Sequence, residues 1–290
     1  MAISSITILG GDLRQCYTAE YLHAAGWQVT CFHTPDFPFS SNILITETLT
    51  DALTSADLIL APTPLSKDGI YLFQADSQKP PCKLTELWNF INSGQTLAVY
   101  NISKDLENLL SRKNCSVFQF SQSTIFATEN AKLTAEGLLS ELIHYTPFSL
   151  SFAKILLLGY GYCGSAIGKL LHPICNNIYV IEAESEKQIQ AEKNGICPIT
   201  TDDFSMVLPQ CNILINTIPK PILEPELLKK LHSSCHIFDI ASAPFGFPED
   251  VTEKYLLPYY RIPGIPGRFS PVTSGQIIGK IIERMTNYVL

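Results

Sequence analysis

Short apolar runs rich in β-branched residues alternate with amphipathic helical stretches along the chain, the pattern of parallel strands joined by crossover helices. Ile6-Thr7-Ile8-Leu9 reads as a strand that closes on Gly10-Gly11. Asp12 follows as a helix N-cap, and a helical stretch from Leu13 to Ala25 stops at Gly26, the usual residue just past a helix end. Val29 to Phe32 continues as the next strand, and the same grammar returns at Leu58-Ile59-Leu60-Ala61, Leu97-Ala98-Val99-Tyr100 and Val117-Phe118-Gln119-Phe120. A helix from Thr134 to Tyr145 ends at Thr146-Pro147, where the pattern sets a domain boundary. A second series begins at Ile155-Leu156-Leu157-Leu158 and runs through Ile178 to Ile181, Ile213 to Asn216 and His236 to Ile240. Ser270 and Pro271 then open a last helix with the stripe Ile277, Ile278, Ile281, Ile282 and Met285.

These elements predict an α/β chain of two doubly wound, Rossmann-like lobes with parallel sheets, facing each other across a cleft. The expected divisions are a substrate lobe over 1–146, a dinucleotide lobe over 147–268, and a C-terminal helix over 269–290 that packs across the lobes. The pattern does not say which lobe receives that helix.

Composition narrows the function classes. The 290 residues carry 20 basic and 27 acidic side chains, a formal charge of −7, with no block of like charge prepared for a phosphate backbone, so nucleic acid is not an expected partner. No basic segment precedes an apolar run at the start, and no stretch reaches the ~18 apolar residues of a membrane span. Nine cysteines, none in a C-x-x-C pair, read as reduced packing residues of a cytoplasmic protein. The six histidines fit no metal-ligand spacing apart from the i, i+4 pair His232 and His236, and no metal site is expected.

Gly159-Tyr160-Gly161-Tyr162-Cys163-Gly164 follows an apolar strand and opens a helix, and Glu182 ends the next strand 18 residues after the third glycine. The first glycine serves a tight turn, the second the approach of a pyrophosphate, the third close helix–strand packing. Glu182 either accepts hydrogen bonds from the ribose hydroxyls of NAD, where a 2′-phosphate would meet like charge, or points to solvent while a lysine or arginine takes a phosphate. The loops Thr217-Ile218-Pro219 and Asp239-Ile240-Ala241-Ser242 follow apolar strands, where open sheets keep their sites, and belong beside the nicotinamide; Asp239 alternatively caps a turn.

In the first lobe, Gly10-Gly11-Asp12-Leu13-Arg14-Gln15 suits a carboxylate, with backbone amides and an arginine fork converging on one anion. Arg14 is one of only five arginines; its alternative role is a pairing with Glu20 or Asp36. Arg268 is a second candidate anion ligand. The carbonyl-polarising Arg and carboxylate-backed His of hydroxy-acid dehydrogenases are missing, since no His follows His236 and the Asp239 loop has no Arg.

Together with Thr134-x-Glu136-Gly137, Asn216-Thr217-Ile218-Pro219, Pro263-Gly264-Ile265-Pro266-Gly267 and Pro271-x-Thr273-x-Gly275-Gln276, these motifs resemble those of the dipicolinate synthase A-subunit family from residue 6 to about 283. The resemblance implies a two-lobed oxidoreductase that uses NADP. With a flavoprotein-like B-type partner, such an enzyme makes pyridine-2,6-dicarboxylate for bacterial spores by oxidising dihydrodipicolinate, itself derived from 4-hydroxy-tetrahydrodipicolinate. Aromatisation drives such an oxidation, so no strong carbonyl-polarising pair is needed. On this reading Arg14 and the amides after Gly11, with Gln15, hold one carboxylate, and Arg268 or the start of the last helix the other. The ring then lies near Thr217 and Ser242, with Asp12, Asp239 or a water taking the proton. The chain departs from the family in Glu182-Ala183-Glu184 where an arginine is expected, in Ala243 where a lysine is usual, and in Thr63-Pro64-Leu65. The alternatives are another NAD-dependent dehydrogenase of an imino or keto acid and a non-catalytic nucleotide-binding partner module. The last helix leaves room for a homo-oligomer.

Overall fold

The computed structural model describes residues 5–39, 42–221, 225–248 and 250–289; residues 1–4, read above for a leader, lie outside them. The chain forms two compact units, Met1–Ala127 with Ser270–Leu290, and Thr128–Phe269.

The first unit is built from β1 (Ser5–Leu9), α1 (Leu13–Ala24), β2 (Gln28–Phe32), β3 (Leu44–Thr46), α2 (Leu49–Thr54), β4 (Leu58–Leu60), α3 (Leu84–Phe90), β5 (Thr96–Val99), α4 (Lys104–Arg112) and β6 (Ser116–Gln119). Its six strands are all parallel, in the order β3-β2-β1-β4-β5-β6. The central strands are buried on both faces, as the unbroken run Leu58-Ile59-Leu60 requires.

Helix α5 (Thr124–Tyr145) leads into the second unit: β7 (Ile155–Leu158), α6 (Tyr162–Leu171), β8 (Ile178–Ile181), α7 (Ser185–Lys193), β9 (Cys197–Pro198), α8 (Thr201–Val207), β10 (Ile213–Asn216), α9 (Pro225–Leu228), β11 (His236–Asp239), α10 (Val251–Tyr255), β12 (Tyr259–Arg261) and α11 (Ile265–Phe269). This sheet is also parallel throughout, in the order β12-β11-β10-β7-β8-β9. Counted from each unit's own first strand, both sheets follow the same doubly wound order, and the order reverses between β1 and β4 and between β7 and β10. Those switch points are where such sheets hold ligands, beyond the carboxyl ends of the strands.

The division of the chain differs from the one expected at Thr146-Pro147. Helix α5 gives Phe126 to the core of the first unit and Ala135, Leu138 and Leu142 to the core of the second, so the boundary falls inside the helix. The expected 269–290 piece is not a third body: α12 (Pro271–Val289) returns to the first unit, where Ile278, Ile281, Ile282 and Met285 join Ile6, Ala19 and Leu22 in one core. Two glycines let α12 lie close against α1. A Cβ on Gly275 would sit 2.7 Å from the Arg14 carbonyl oxygen and 2.9 Å from the Thr18 nitrogen, and one on Gly279 would collide with the Tyr21 ring. Across the same contact the Thr18 hydroxyl donates to the Gly275 carbonyl (3.0 Å) and the Tyr21 hydroxyl to Glu283 (2.7 Å).

Candidate functional site

The turn after β7 is built as its sequence predicts. Gly159 has φ +90°, and a Cβ there would lie 2.8 Å from both Thr217 Oγ1 and Ile218 Cγ1. A Cβ on Gly164 would collide with the Gly159 carbonyl, so only glycine lets α6 start this close to β7. At Gly161, by contrast, a Cβ meets nothing within 4 Å. Gly161 is also the N-cap of α6 and offers no side chain to it. The N–H groups of Tyr162, Cys163 and Gly164 precede the first intrahelical bond, from Ser165 N–H to the Gly161 carbonyl (2.9 Å). Open space before a run of helix-start amides with no acceptor among the described residues fits a pyrophosphate, by charge and by shape.

Of the aromatic side chains in this turn, Tyr162 is exposed and Tyr160 is core. Tyr160 is 1% exposed, its hydroxyl accepts from Asn194 Nδ2 (3.1 Å), and its backbone N–H is given to Glu182. Tyr160 thus holds the turn from beneath and offers a cofactor neither its ring nor its amide, which corrects its assignment as a cofactor ligand. Cys163 packs against the core, its thiol pushed up by burial and partly offset by a hydrogen bond with Thr134.

Glu182 follows β8 and reaches back to the same turn. Its Oε2 accepts from Tyr160 N–H (2.8 Å) and its Oε1 from Ala183 N–H (2.7 Å) and Glu184 N–H (3.1 Å). Burial pushes its pKa upward, but these amides and the nearby Lys187 charge outweigh burial and hold it below the usual carboxylate range. A carboxylate accepts at about four lone-pair sites, so one on Oε2 remains for a hydroxyl donor. Lys187 is bound to Glu184 (2.6 Å), so two acidic side chains and an engaged lysine stand together after β8.

The loops after β10 and β11 are fastened to one buried carboxylate. Asp239 is 0% exposed and accepts four hydrogen bonds: from Asn216 Nδ2 (2.8 Å) and Ala241 N–H (3.3 Å) on Oδ1, and from Gly246 N–H (3.0 Å) and the Tyr259 hydroxyl (3.1 Å) on Oδ2. With its acceptor sites filled and no path to solvent it is a brace, which corrects its assignment as a proton acceptor. Asn216 passes the brace on, donating to the Ile218 carbonyl (3.0 Å) and accepting from Ile218 N–H (3.1 Å). Thr217 donates from its hydroxyl to the Leu158 carbonyl (2.8 Å), the Ile218 side chain covers Gly159, and Pro219 and Ser242 are exposed at the rims of the two loops. Burial, strengthened by the Asp239 charge and opposed by Arg261, pushes the Tyr259 hydroxyl up to about 12, so it stays a donor.

The turn of the first unit looks alike in sequence and is closed in structure. Asp12 and Gln15 form a capping box: Asp12 Oδ1 accepts from Arg14 N–H (3.0 Å) and Gln15 Oε1 from Asp12 N–H (3.0 Å). Gly11 N–H goes to the Phe73 carbonyl (2.7 Å) and Gln15 N–H to the Asp12 carbonyl (3.0 Å). The Arg14 guanidinium grips Asp12 with two bonds, Nε to Oδ1 (2.9 Å) and Nη2 to Oδ2 (2.8 Å), and also donates to the Thr63 carbonyl. The expected anion site at Gly11, Arg14 and Gln15 is therefore filled by the chain's own carboxylate. Arg14 pairs with Asp12 instead of Glu20 or Asp36, and Asp12, with both oxygens in that pair, is no free base. Arg268 is likewise engaged, with Glu141, a 6%-exposed carboxylate on α5 (3.2 Å). A Cβ on Gly137 would collide with Ile265, so Gly137 lets α5 pack closely on α11.

Sequence reasoning quoted Asn216 only within a motif, without a role, and missed Tyr259 and Arg261 as parts of the site. Their signal was faint: a polar residue ending an apolar strand, and a three-residue strand with no apolar run. Among the described residues no three His, Cys, Asp or Glu side chains gather as metal ligands, no helix is long and apolar enough to cross a membrane, and all nine cysteines are free.

Residues 5–121 match the family model for the N-terminal domain of the dipicolinate synthase A-subunit. Over 180 residues the chain is 27% identical to the dipicolinate synthase A-subunit of Bacillus subtilis (strain 168), a match that spans 62% of this chain and 61% of that protein, about three fifths of its length. The fold is that of the dipicolinate synthase A-subunit crystal structure from Bacillus halodurans, with TM-score 0.86, 21% identity and 98% of each chain covered. It is also similar to an L-alanine dehydrogenase, with TM-score 0.63 and 14% identity over 97% of this chain and 88% of that one. These matches bear out the resemblance read from the motifs and the two-lobed α/β fold.

Proposed function

We propose that this chain, similar to the A-type component of dipicolinate synthase, is a nicotinamide-dependent oxidoreductase that oxidises dihydrodipicolinate to pyridine-2,6-dicarboxylate. The observation that carries the reading is the open, uncapped start of α6 at the switch point of its sheet, beside a glycine whose missing side chain leaves free space. The N–H groups of Tyr162, Cys163 and Gly164 would bind the pyrophosphate, and Glu182 the adenosine ribose. The loops at Thr217 and Ser242 would flank the nicotinamide, which supplies a hydride acceptor. The substrate loses a hydride and a proton, and gains an aromatic ring. The single lone pair left on Glu182, with Glu184 beside it, favours NAD over NADP, against the family expectation.

A second polypeptide, the B-type component of dipicolinate synthase, belongs to this reading as a partner. Its setting is the cytoplasm of a spore-forming cell. The closed Arg14–Asp12 and Arg268–Glu141 pairs favour one other reading, a dehydrogenase of a different imino or keto acid whose carboxylate anchors lie elsewhere.

The test supplies the purified chain, alone and with a B-type component, with the product of dihydrodipicolinate synthase and either NAD or NADP. Pyridine dicarboxylate absorbance is followed. Aromatic product supports the proposal; cofactor binding with turnover only of another acid replaces it with the second reading. Glu182→Ala should weaken NAD about tenfold and NADP less, as loss of a charge-assisted hydrogen bond predicts.

A further inference from the structure

The cofactor reading leaves one buried network unexplained, and its parts converge on the nicotinamide side. Two loops, 216–219 after β10 and 240–247 after β11, hang from the same Asp239 carboxylate. Asn216 joins the first loop to it, and Gly246 joins the second; a Cβ on Gly246 would collide with the Asn216 amide, so the two loops interlock through that side chain. The fourth bond to Asp239 comes from outside both loops, from the Tyr259 hydroxyl on β12. That hydroxyl in turn accepts from Arg261 Nε (3.0 Å), while Arg261 Nη2 donates to the Phe247 carbonyl (2.9 Å) and its guanidinium stacks 4.3 Å from the Phe245 ring centroid. A carboxylate with no exposure thus has no direct cation among these four bonds and meets its charge through a phenol that an arginine polarises.

We propose that Tyr259 and Arg261 are positioning residues for the nicotinamide half of the cofactor. Resting on the cofactor reading above, the inference is that they act through Asp239 and Asn216 to fix the two loops that flank the ring. None of the bonds given above joins either residue to the pyrophosphate turn or to Glu182, so an effect on that turn can pass only through the 216–219 loop, and the larger effect falls on the nicotinamide half. Tyr259→Phe leaves Asp239 with three donors and Arg261 Nε without its acceptor, and the 216–219 loop loses its fixed height over the Gly159 turn. Arg261→Gln removes the polarising charge and the Phe247 tether while leaving the Asp239 bonds in place.

NAD and ADP-ribose separate this role from a merely structural one, because ADP-ribose carries the adenosine and pyrophosphate but no nicotinamide. Calorimetry on the full chain should show Tyr259→Phe raising the NAD dissociation constant about tenfold, the scale of a lost hydrogen bond to a charged group, with ADP-ribose changed less than twofold. Arg261→Gln should move NAD in the same direction, by about threefold, again sparing ADP-ribose, and supplies the result if Tyr259→Phe fails to fold. Parallel losses for both ligands, or unchanged NAD affinity in a folded variant, overturn the positioning role and leave the cofactor reading standing. Failure of the unaltered chain to bind either ligand overturns both.

Discussion

Gly161 and Gly164 stand three residues apart in one motif and face opposite surroundings: open space at the first, the Gly159 carbonyl at the second. Gly161→Ala should therefore cost only about 1 kcal/mol or less in denaturant unfolding, the scale of placing Ala at an N-cap, yet weaken NAD tenfold or more by filling the space before the helix start. Glu182 carries a pH signature with a definite sign. Its folded pKa is lowered, so its contribution to stability is complete above the unfolded carboxylate value of about 4.3 and is lost as pH falls through the folded value. Glu182→Gln should lie below the parent in thermal midpoint at pH 7, and the two should converge as the pH is brought down into the acid range. At this scale the sequence was uneven as a guide. The glycine turn was legible because spacing alone defines it; that Glu182 would reach back to the Tyr160 N–H was not. Arg14 was misread because its neighbour Asp12, chosen as an N-cap, is also within reach of its guanidinium, and no spacing rule says which anion an arginine will take.

Among the elements, the contact of α12 with α1 depends on two glycines one helical turn apart. Gly279→Leu should destabilise the chain by about 1–3 kcal/mol, the usual cost of overpacking, because the Tyr21 ring occupies the place of the new Cβ; urea unfolding measures it. The buried strands were legible as apolar runs, and so was α12, from its isoleucine stripe and its Ser270-Pro271 start. Strands β3, β9 and β12 were not: they are two or three residues long and lie at the sheet edges, where β9 and β12 have no apolar run and the short Ile43-Leu44-Ile45 run at β3 is too brief to stand out. The division of the chain escaped for a related reason. Helix α5 was read only over 134–145 although it begins at Thr124, and nothing in its pattern marks which core each turn enters.

For the whole molecule, the decisive comparison is between two sheets of one topology whose switch-point turns differ in state. One turn is closed by Asp12, Gln15 and Arg14, and the other is open at Gly161. NAD titration by calorimetry should accordingly give one site per chain despite the duplicated architecture; two equivalent sites would mean that the Asp12 cap yields to a phosphate. The first unit also takes its residues from two stretches far apart in the chain, 1–127 and 270–290. During synthesis on the ribosome, Ile6, Ala19 and Leu22 wait for a helix that emerges after residue 270, whereas residues 128–269 have their core partners earlier. A nascent chain stalled before residue 270 would hold a finished carboxy-proximal half behind an amino-proximal half with a bare oily flank, so quality control by chaperones falls on the part made first.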